Sequence, residues 1–529
     1  MSATLPFRGG AGPAAIGRRA LLRGAGAAAL LGAAGCQPFA TGRHFAADPF
    51  TLGVASGYPG PQGVVLWTRL APRPLEPGGG MPAEAVPVAW EVADDEGFHR
   101  PVAAGTAVAA PELAHAVHVE VSGLAPGRWY FYRFHAGGAT SPTGRTRTGL
   151  PAGAPADRLR LAYASCQHYE QGYFAAYRHM VAGGPDLILH LGDYIYESSW
   201  GRDHVRKHDA PEPLTLDDYR IRHALYRSDR DLQAAHAACP WLVTWDDHEV
   251  DNDYAGAQSE HLDPPAAFLA RRAAAYRAYY EHMPLPRAML PVGPDARLYS
   301  RTGFGRLLDI SMLDDRQYRD PQGCPPPARG GGARVVADCA ALAEPSRSLL
   351  GAAQEAWLEA GLAAGSATWT VIGQQTLMAQ IDRRRGPARA FWTDGWDGYP
   401  HARRRLLQAI AARPSLNALV LGGDVHAFWV ADLKTDFDDD RAPVVATEVC
   451  GSSITSQAQP VTAHLAWAAE NPHVKAVDAA HRGYVALDLT PAQAEFALVG
   501  MADVRQPGSP ARVLSRWVVE PGRPGALPA

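Results

Sequence analysis

The chain has 529 residues, 47% hydrophobic and 20% charged, with a net charge of −4 at pH 7. That apolar content excludes a disordered or collagen-like chain, and the length leaves room for roughly two to four domains around substantial cores. Lysine occurs only at Lys207, Lys434 and Lys475 and no Lys/Arg block dominates, so the basic footprint of a nucleic-acid binder is missing.

Residues 16–36 read IGRRALLRGAGAAALLGAAGC. The Arg18-Arg19 pair precedes an uncharged Ala/Gly/Leu run that is too short to span a bilayer and too glycine-rich for an ordinary core helix. The segment resembles a twin-arginine signal peptide over residues 1–36, which implies passage of the folded chain through the twin-arginine translocase. Cys36 follows Ala33-Ala34-Gly35, similar to a lipoprotein cleavage box with Ala where Leu is usual. Lipid attachment at Cys36 and cleavage slightly later both stay open. Loss of residues 1–35 removes Arg8, Arg18, Arg19 and Arg23 and no acid, taking the net charge from −4 to −8. The expectation is a periplasmic or secreted monomer, touching membrane only through a lipid on Cys36.

Residues 46–150 read as an all-β sandwich domain. VVLWTRL (64–70), VPVAWEV (86–92), HAVHVEV (115–121) and RWYFYRFHA (128–136) are rich in β-branched and aromatic residues and are separated by Gly, Pro and Asp clusters. Leu124, Pro126, Tyr130 and Arg133 resemble the strand corner of fibronectin type III domains, and residues 140–156 read as a linker.

From residue 157 to 529 the pattern becomes α/β. LRLAYASC (159–166), PDLILHLGD (185–193), WLVTWDDHE (241–249) and LNALVLGGDVHAFW (416–429) are apolar runs with polar carboxy ends. Helices are expected between them, over 264–283 and 349–364 among others. Ligand sites in such folds gather at the carboxy ends of strands. Four ends carry candidates: Cys166; Asp193 and Tyr196; Asp246, Asp247 and His248; Asp424 and His426. A single Asp after a strand is usually a helix cap, but four such ends on one sheet edge would crowd several anions together. A multivalent cation is the simplest way to hold them. Thiolate, phenolate and imidazole favour a transition metal, whereas carboxylate and amide oxygens favour a hard cation. Inert packing of Cys166 and Tyr196, and structural roles for the two histidines, are the alternatives. Cys324 and Cys339 flank a Pro/Gly-rich loop and are a candidate disulfide; Cys239 and Cys450 lie in apolar runs and read as core.

Eleven segments resemble the PhoD family of alkaline phosphatases and phosphodiesterases in family order, from FTLGVASG (50–57) to TEVCGSSITS (447–456). They include ASCQ (164–167), LHLGDYIYE (189–197), WDDHEV (245–250), FGRLLDISMLDDRQYR (304–319) and GGDVHAFWVADL (422–433). The resemblance implies a metallophosphoesterase-type two-sheet sandwich flanked by helices, behind a fibronectin III- or immunoglobulin-like sandwich. It implies ferric iron, Fe(3+), held by Cys166, Asp193, Tyr196 and His426, with Asp193 bridging to calcium, Ca(2+), held with Asp247, Asn252 and Asp424. His248 would act beside the metals as a catalytic residue, and Arg316 would contact phosphate. Asp315 departs from the family's usual Thr and unsettles those Arg316 contacts. The implied activity is hydrolysis of small-molecule phosphate mono- and diesters by a hydroxide that the metals activate. A phospholipase D-type diesterase and a non-catalytic binding protein with a degenerate metal site are the competing readings. Tyr194, Trp392, Trp396 and Tyr399 are candidates either for the pocket mouth or for ordinary packing.

Overall fold

A computed structural model describes residues 45–332 and 334–529, so the segment expected to direct export and Cys36 lie outside the described residues. Two large sheets, of ten and seven strands, pack face to face. The centre of the larger is parallel: Leu159–Ala164, Leu187–Leu191 and Trp241–Thr244 lie side by side. In the smaller, Leu308–Met312, Trp369–Gly373, Ala418–Gly422 and Val444–Cys450 also run parallel.

Strand periodicity builds the layers. Leu187, Leu189 and Leu191 point into the core between the sheets, together with Ile310, Val371, Leu419 and Leu421. The alternating residue Ile188 faces the helices outside the larger sheet, and Ile372 and Val420 face those outside the smaller. Burial on both faces explains why these runs read as continuously apolar. Helix Pro265–His282 and helix Gly351–Ala364 fall within two residues of their expected bounds, one on each outer face. Pro284 follows the first closely and prevents its continuation.

The amino-terminal strands form a sandwich whose two sheets have different loyalties. Val86–Ala93, Pro101–Ala109, Trp129–Ala136, Ala139–Thr140 and Gly144–Arg147 make a separate five-stranded sheet. Facing it across a core of Val54, Leu66, Val88, Tyr132 and Phe134 are Val54–Gly60, Gly63–Arg69 and Ala116–Val121. Those three strands continue the ten-stranded sheet, because Val54–Gly60 runs parallel beside Trp241–Thr244 with Gly57 opposite Trp241. A Cβ on Gly57 would stand 2.8 Å from the Trp241 carbonyl oxygen and 2.7 Å from that of Pro284. The expected boundary near residue 150 therefore separates stretches of sequence but does not interrupt the sheet. The expected linker also contributes structure, since Gly144–Arg147 pairs with Trp129–Ala136. The Tyr130 hydroxyl closes its corner by accepting the Ala125 N–H at 2.9 Å.

Side chains reinforce the junction. The Trp67 indole donates to the Glu281 carbonyl at 3.1 Å, His118 Nε2 lies 3.0 Å from the Tyr280 and Met283 carbonyls, and Arg227 stacks over Trp67 at 4.4 Å. Cys324 and Cys339 are disulfide-bonded, and Cys239 and Cys450 are buried thiols. Among the described residues no helix is long and apolar enough to cross a membrane. Deletion of residues 45–150 would leave Trp241–Thr244 as a bare edge. That truncation is expected to abolish soluble, monodisperse protein in size-exclusion chromatography; a well-behaved 151–529 fragment would contradict the shared sheet's importance.

Candidate metal centre

The carboxy ends of both parallel sets meet at one edge of the sandwich, and the backbone there is unusual. Cys166, Asp193, Asp424 and His426 all adopt left-handed φ values, from 55° to 63°. Non-glycine residues in that region are strained, and strain of this kind collects at functional sites. The turns depend on close approach. A Cβ on Gly192, itself at φ 105°, would lie 2.5 Å from Asp246 Cβ, and one on Gly423 would meet Ser165 Oγ at 2.4 Å. The glycines of LGD and GGD thus let adjacent strand ends touch.

Two ligand groups share Asp193. Cys166, Asp193 and His426 each offer a donor atom, all within 4.8 Å of one another, as do Asp193, Asp247 and His248. The Tyr196 hydroxyl joins the first group, donating to Asp193 Oδ2 at 2.8 Å and lying 3.2 Å from His426 Nε2. His426 Nδ1 is 2.7 Å from the Gln457 carbonyl, so it carries the proton and leaves Nε2 as a lone pair facing the group. Asp193, Asp247, His248, Asn252, Asp424 and His426 line a cavity of about 680 Å³. Cys166 and Tyr196 lie below its floor, each no more than 1% exposed. Asp193 Oδ1 and Asp253 Oδ2 are buried without a hydrogen-bond donor, and Asp247 Oδ1 has only a guanidinium nitrogen at 3.5 Å. Acceptors orphaned in this way are destabilising unless a cation meets them, so the donor set fits bound metal.

The electrostatics agree. Burial, reinforced by neighbouring carboxylates, raises the pKa of Asp193 and Asp424 well above the usual range. Burial and the Asp193 charge do the same to the Cys166 thiol and the Tyr196 phenol. Bound cations would reverse these shifts by stabilising the anionic forms. Burial alone would depress His248, but the carboxylates of Glu197, Asp193 and Asp247 outweigh it and hold the imidazole well above its ordinary pKa. Its Nδ1 lies 2.7 Å from Glu197 Oε2.

Comparison with known proteins matches this arrangement to a family. The model of the PhoD-like phosphatase covers residues 161–498, and that of the PhoD-like phosphatase N-terminal domain covers residues 35–150. Alkaline phosphatase D of Bacillus subtilis (strain 168) is 46% identical over 493 residues, spanning 91% of this chain and 82% of that protein. The solved structure titled "Structure of PhoD" superposes with a TM-score of 0.87 at 44% identity, covering 92% of this chain and 93% of the other. The chain belongs to the PhoD-like phosphatase family.

Within this PhoD-like chain, several side chains sit elsewhere than expected. Arg316 is not on the cavity wall. It is 1% exposed, its Nε donates to Asp246 Oδ1, and its Nη1 lies 2.8 Å from Asp394 Oδ2 and its Nη2 3.5 Å from Asp247 Oδ1. A guanidinium with three carboxylates around it neutralises the acidic floor from beneath, and this replaces the expected phosphate contact. Of the four aromatics, Trp392 alone lines the cavity. Tyr194 hydrogen-bonds to His236, Trp396 to Gln374 and Tyr399 to the Asp320 carbonyl, all in the interior. Trp200 and Trp467 line the cavity in their place.

Sequence reasoning also missed Glu249. Its carboxylate accepts the N–H groups of Asp193 at 3.1 Å, Tyr194 at 2.5 Å and Asp246 at 2.7 Å, tying two strand ends together. The signal was an acid inside WDDHEV, directly after the candidate ligands. Asp394, paired with both Arg316 and Arg319, follows no strand pattern that could have singled it out.

The Asp315 departure has a simple chemical account. Burial, aided by the Asp246 charge, pushes its carboxyl up to about 8, so at neutral pH it is an uncharged hydrogen-bonding group, as Thr would be. It exchanges backbone N–H bonds with the Gln375 side chain and backbone at 3.2 and 3.3 Å. Between the unfolded value near 3.8 and about 8 the folded state holds a proton that the unfolded state has released, so stability falls as pH rises through that window. Asp315→Asn is expected to remove this slope, raising the melting temperature relative to the native chain by roughly a few degrees at pH 8 and less at pH 5. Thermal unfolding of both proteins at the two pH values checks it.

Proposed function

We propose that this chain, a phosphoric ester hydrolase of the PhoD-like phosphatases, is exported and hydrolyses organic phosphate mono- and diesters at a centre of ferric iron and calcium. Family membership and the identity with Alkaline phosphatase D support the enzyme class. The observation that carries the metal reading is the pair of ligand groups sharing Asp193, with buried carboxylate oxygens that have no donor. The complete ligand set argues against a binding protein with a degenerate site. The two facing sheets and their helices support a metallophosphoesterase-type body, and the Tyr130 corner supports a fibronectin III- or immunoglobulin-like amino-terminal sandwich. Export through the twin-arginine translocase, with Cys36 as a lipid anchor, is supported by the sequence of residues 16–36.

Cys166, Asp193, Tyr196 and His426 would hold iron, because thiolate, phenolate and imidazole suit a transition metal. Asp193, Asp247, Asn252 and Asp424 would hold calcium through oxygen. When bound, the cations supply positive charge that draws in the phosphoryl oxygens and favours ionisation of water. The chain's own residues do the rest. Glu249 and Thr376, whose hydroxyl donates to Asp424 Oδ2 at 2.6 Å, hold the ligands in place. Glu197 fixes His248 through Nδ1, leaving Nε2 to carry a proton for the departing alkoxide.

Cys166→Ala is expected to lose iron, measured by elemental analysis, together with hydrolysis of bis-p-nitrophenyl phosphate, while the circular dichroism spectrum stays native. Full activity without iron would refute the assignment. His248→Gln is expected to lower kcat by about 10²–10⁴-fold for esters of alkyl alcohols and by much less for p-nitrophenyl esters, whose leaving group needs no proton. Equal losses on both would remove the acid role.

A further inference from the structure

Opposite the acidic floor, the cavity contains a cation that the hydrolytic reading leaves without a task. Arg383 and Arg202 are the two arginines among the described residues that line it. Arg202 is exposed at the rim, whereas the Arg383 guanidinium packs over two indoles, 4.9 Å from the ring of Trp392 and 4.5 Å from that of Trp467. Contact with two indole rings restricts the guanidinium and leaves its N–H groups for hydrogen bonds. Those groups are unused: among the described residues Arg383 has no ion pair, and its buried Nε has no acceptor. Arg316 and Arg319 pair with Asp394 and Arg403 with Asp397, while the buried Arg69 and Arg222 spend their guanidinium N–H groups on carbonyls and, for Arg69, on His282; among the described residues Arg383 has neither kind of partner. Two further polar groups beside it also lack partners, the Trp392 indole N–H and both ring nitrogens of His464, a residue 2% exposed.

The arrangement is built rigidly. The Arg383 N–H donates to the Ala390 carbonyl at 2.8 Å, closing its loop. The preceding residue, Asp382, exchanges two 3.0 Å hydrogen bonds with the Asn471 side chain, at the end of the helix Val461–Glu470 that carries His464 and Trp467. Burial brings the guanidinium down to about 10, which keeps it cationic at neutral pH. A positioned, partly buried cation without an ion pair gains from an anionic ligand.

We propose that Arg383, clamped by Trp392 and Trp467 with His464 beside it, is a subsite for a second oxyanion, a phosphate or carboxylate borne on one ester arm of a phosphodiester. This rests on the phosphodiesterase reading, since the scissile phosphorus would lie at the candidate metal centre in the same cavity. The planar guanidinium edge matches both oxyanions, so Arg383 determines specificity without touching the reacting atoms.

Three probes test it on the metal-loaded enzyme: methyl p-nitrophenyl phosphate and its 2-carboxyethyl and 2-phosphoethyl counterparts. Nitrophenolate release gives kcat/KM for each, and the two charged arms distinguish carboxylate from phosphate. Arg383→Gln is expected to lower kcat/KM about 10- to 100-fold on at least one charged probe, mainly through KM, with the methyl ester changed by less than about twofold. Arg383→Lys, which keeps the charge but not the fork, should recover part of the loss. Equal losses on all three probes in both variants, or no loss on any, would overturn the subsite. If the native enzyme turns over none of them, the phosphodiesterase reading fails instead. Calorimetric affinities for the 2-phosphoethyl diester then decide the subsite: about tenfold weaker binding to Arg383→Gln upholds it, and equal binding overturns it.

Discussion

Carboxylates crowded out of water at the meeting edge of two sheets set the terms for the rest of this molecule. Asp193, Asp246, Asp247, Asp394 and Asp424 are each buried to 3% exposure or less, apart from Asp424 where it opens to the cavity. Left alone they would repel one another or take up protons. Arg316 neutralises the group from below through three of them, with Arg319 sharing Asp394. From above, the unmatched oxygens of Asp193 and Asp247 ask for metal. Buried guanidinium groups thus act on one side of the acidic layer, and the candidate metal site lies on the other.

Holding that layer in shape requires more than charge. Glu249 ties the turn after Leu187–Leu191 to the turn after Trp241–Thr244 through backbone N–H groups. Gln375 donates to Thr244, Trp245 and Leu313, joining the ends of both sheets at 2.8 to 3.0 Å. These polar side chains are buried and satisfied by backbone, so they position ligands without reaching solvent. The amino-terminal strands brace the same region from the side. Tyr58, from the first of them, donates to the Val243 carbonyl at 3.3 Å, one strand away from the metal ligands. The extra sandwich is therefore part of the scaffold under the site.

Much of the candidate site was legible because its candidate ligands follow a local rule: an apolar strand, a glycine, then a polar residue. Asp193 and Asp424 satisfy it directly, and Tyr196 and His426 lie within three residues of them. The parallel strands and the two long helices were legible for the same reason, since burial periodicity is local. Arg316 was found as a residue but misread as a role. Its local sequence, LDDRQYR, shows two adjacent acids and does not show that Asp246, Asp247 and Asp394 arrive from elsewhere to surround it. The pocket aromatics were left open between cavity mouth and core: Tyr194 and Trp392 look equally suited to either, and only packing puts one inside and the other on the wall.

The sequence by itself determined the α/β order and the residue types offered as candidate ligands, because each is written in contiguous residues. Tertiary structure decided which strands share a sheet across residue 150, which carboxylates face Arg316 and that Arg383 reaches the cavity without an ion pair. Those outcomes depend on groups 50 to more than 100 residues apart, whose proximity is set by packing and charge balance across the whole fold. The acidity read from composition is one such case: the excess of carboxylates is a bulk count, but its function arises where folding brings several of them to one point.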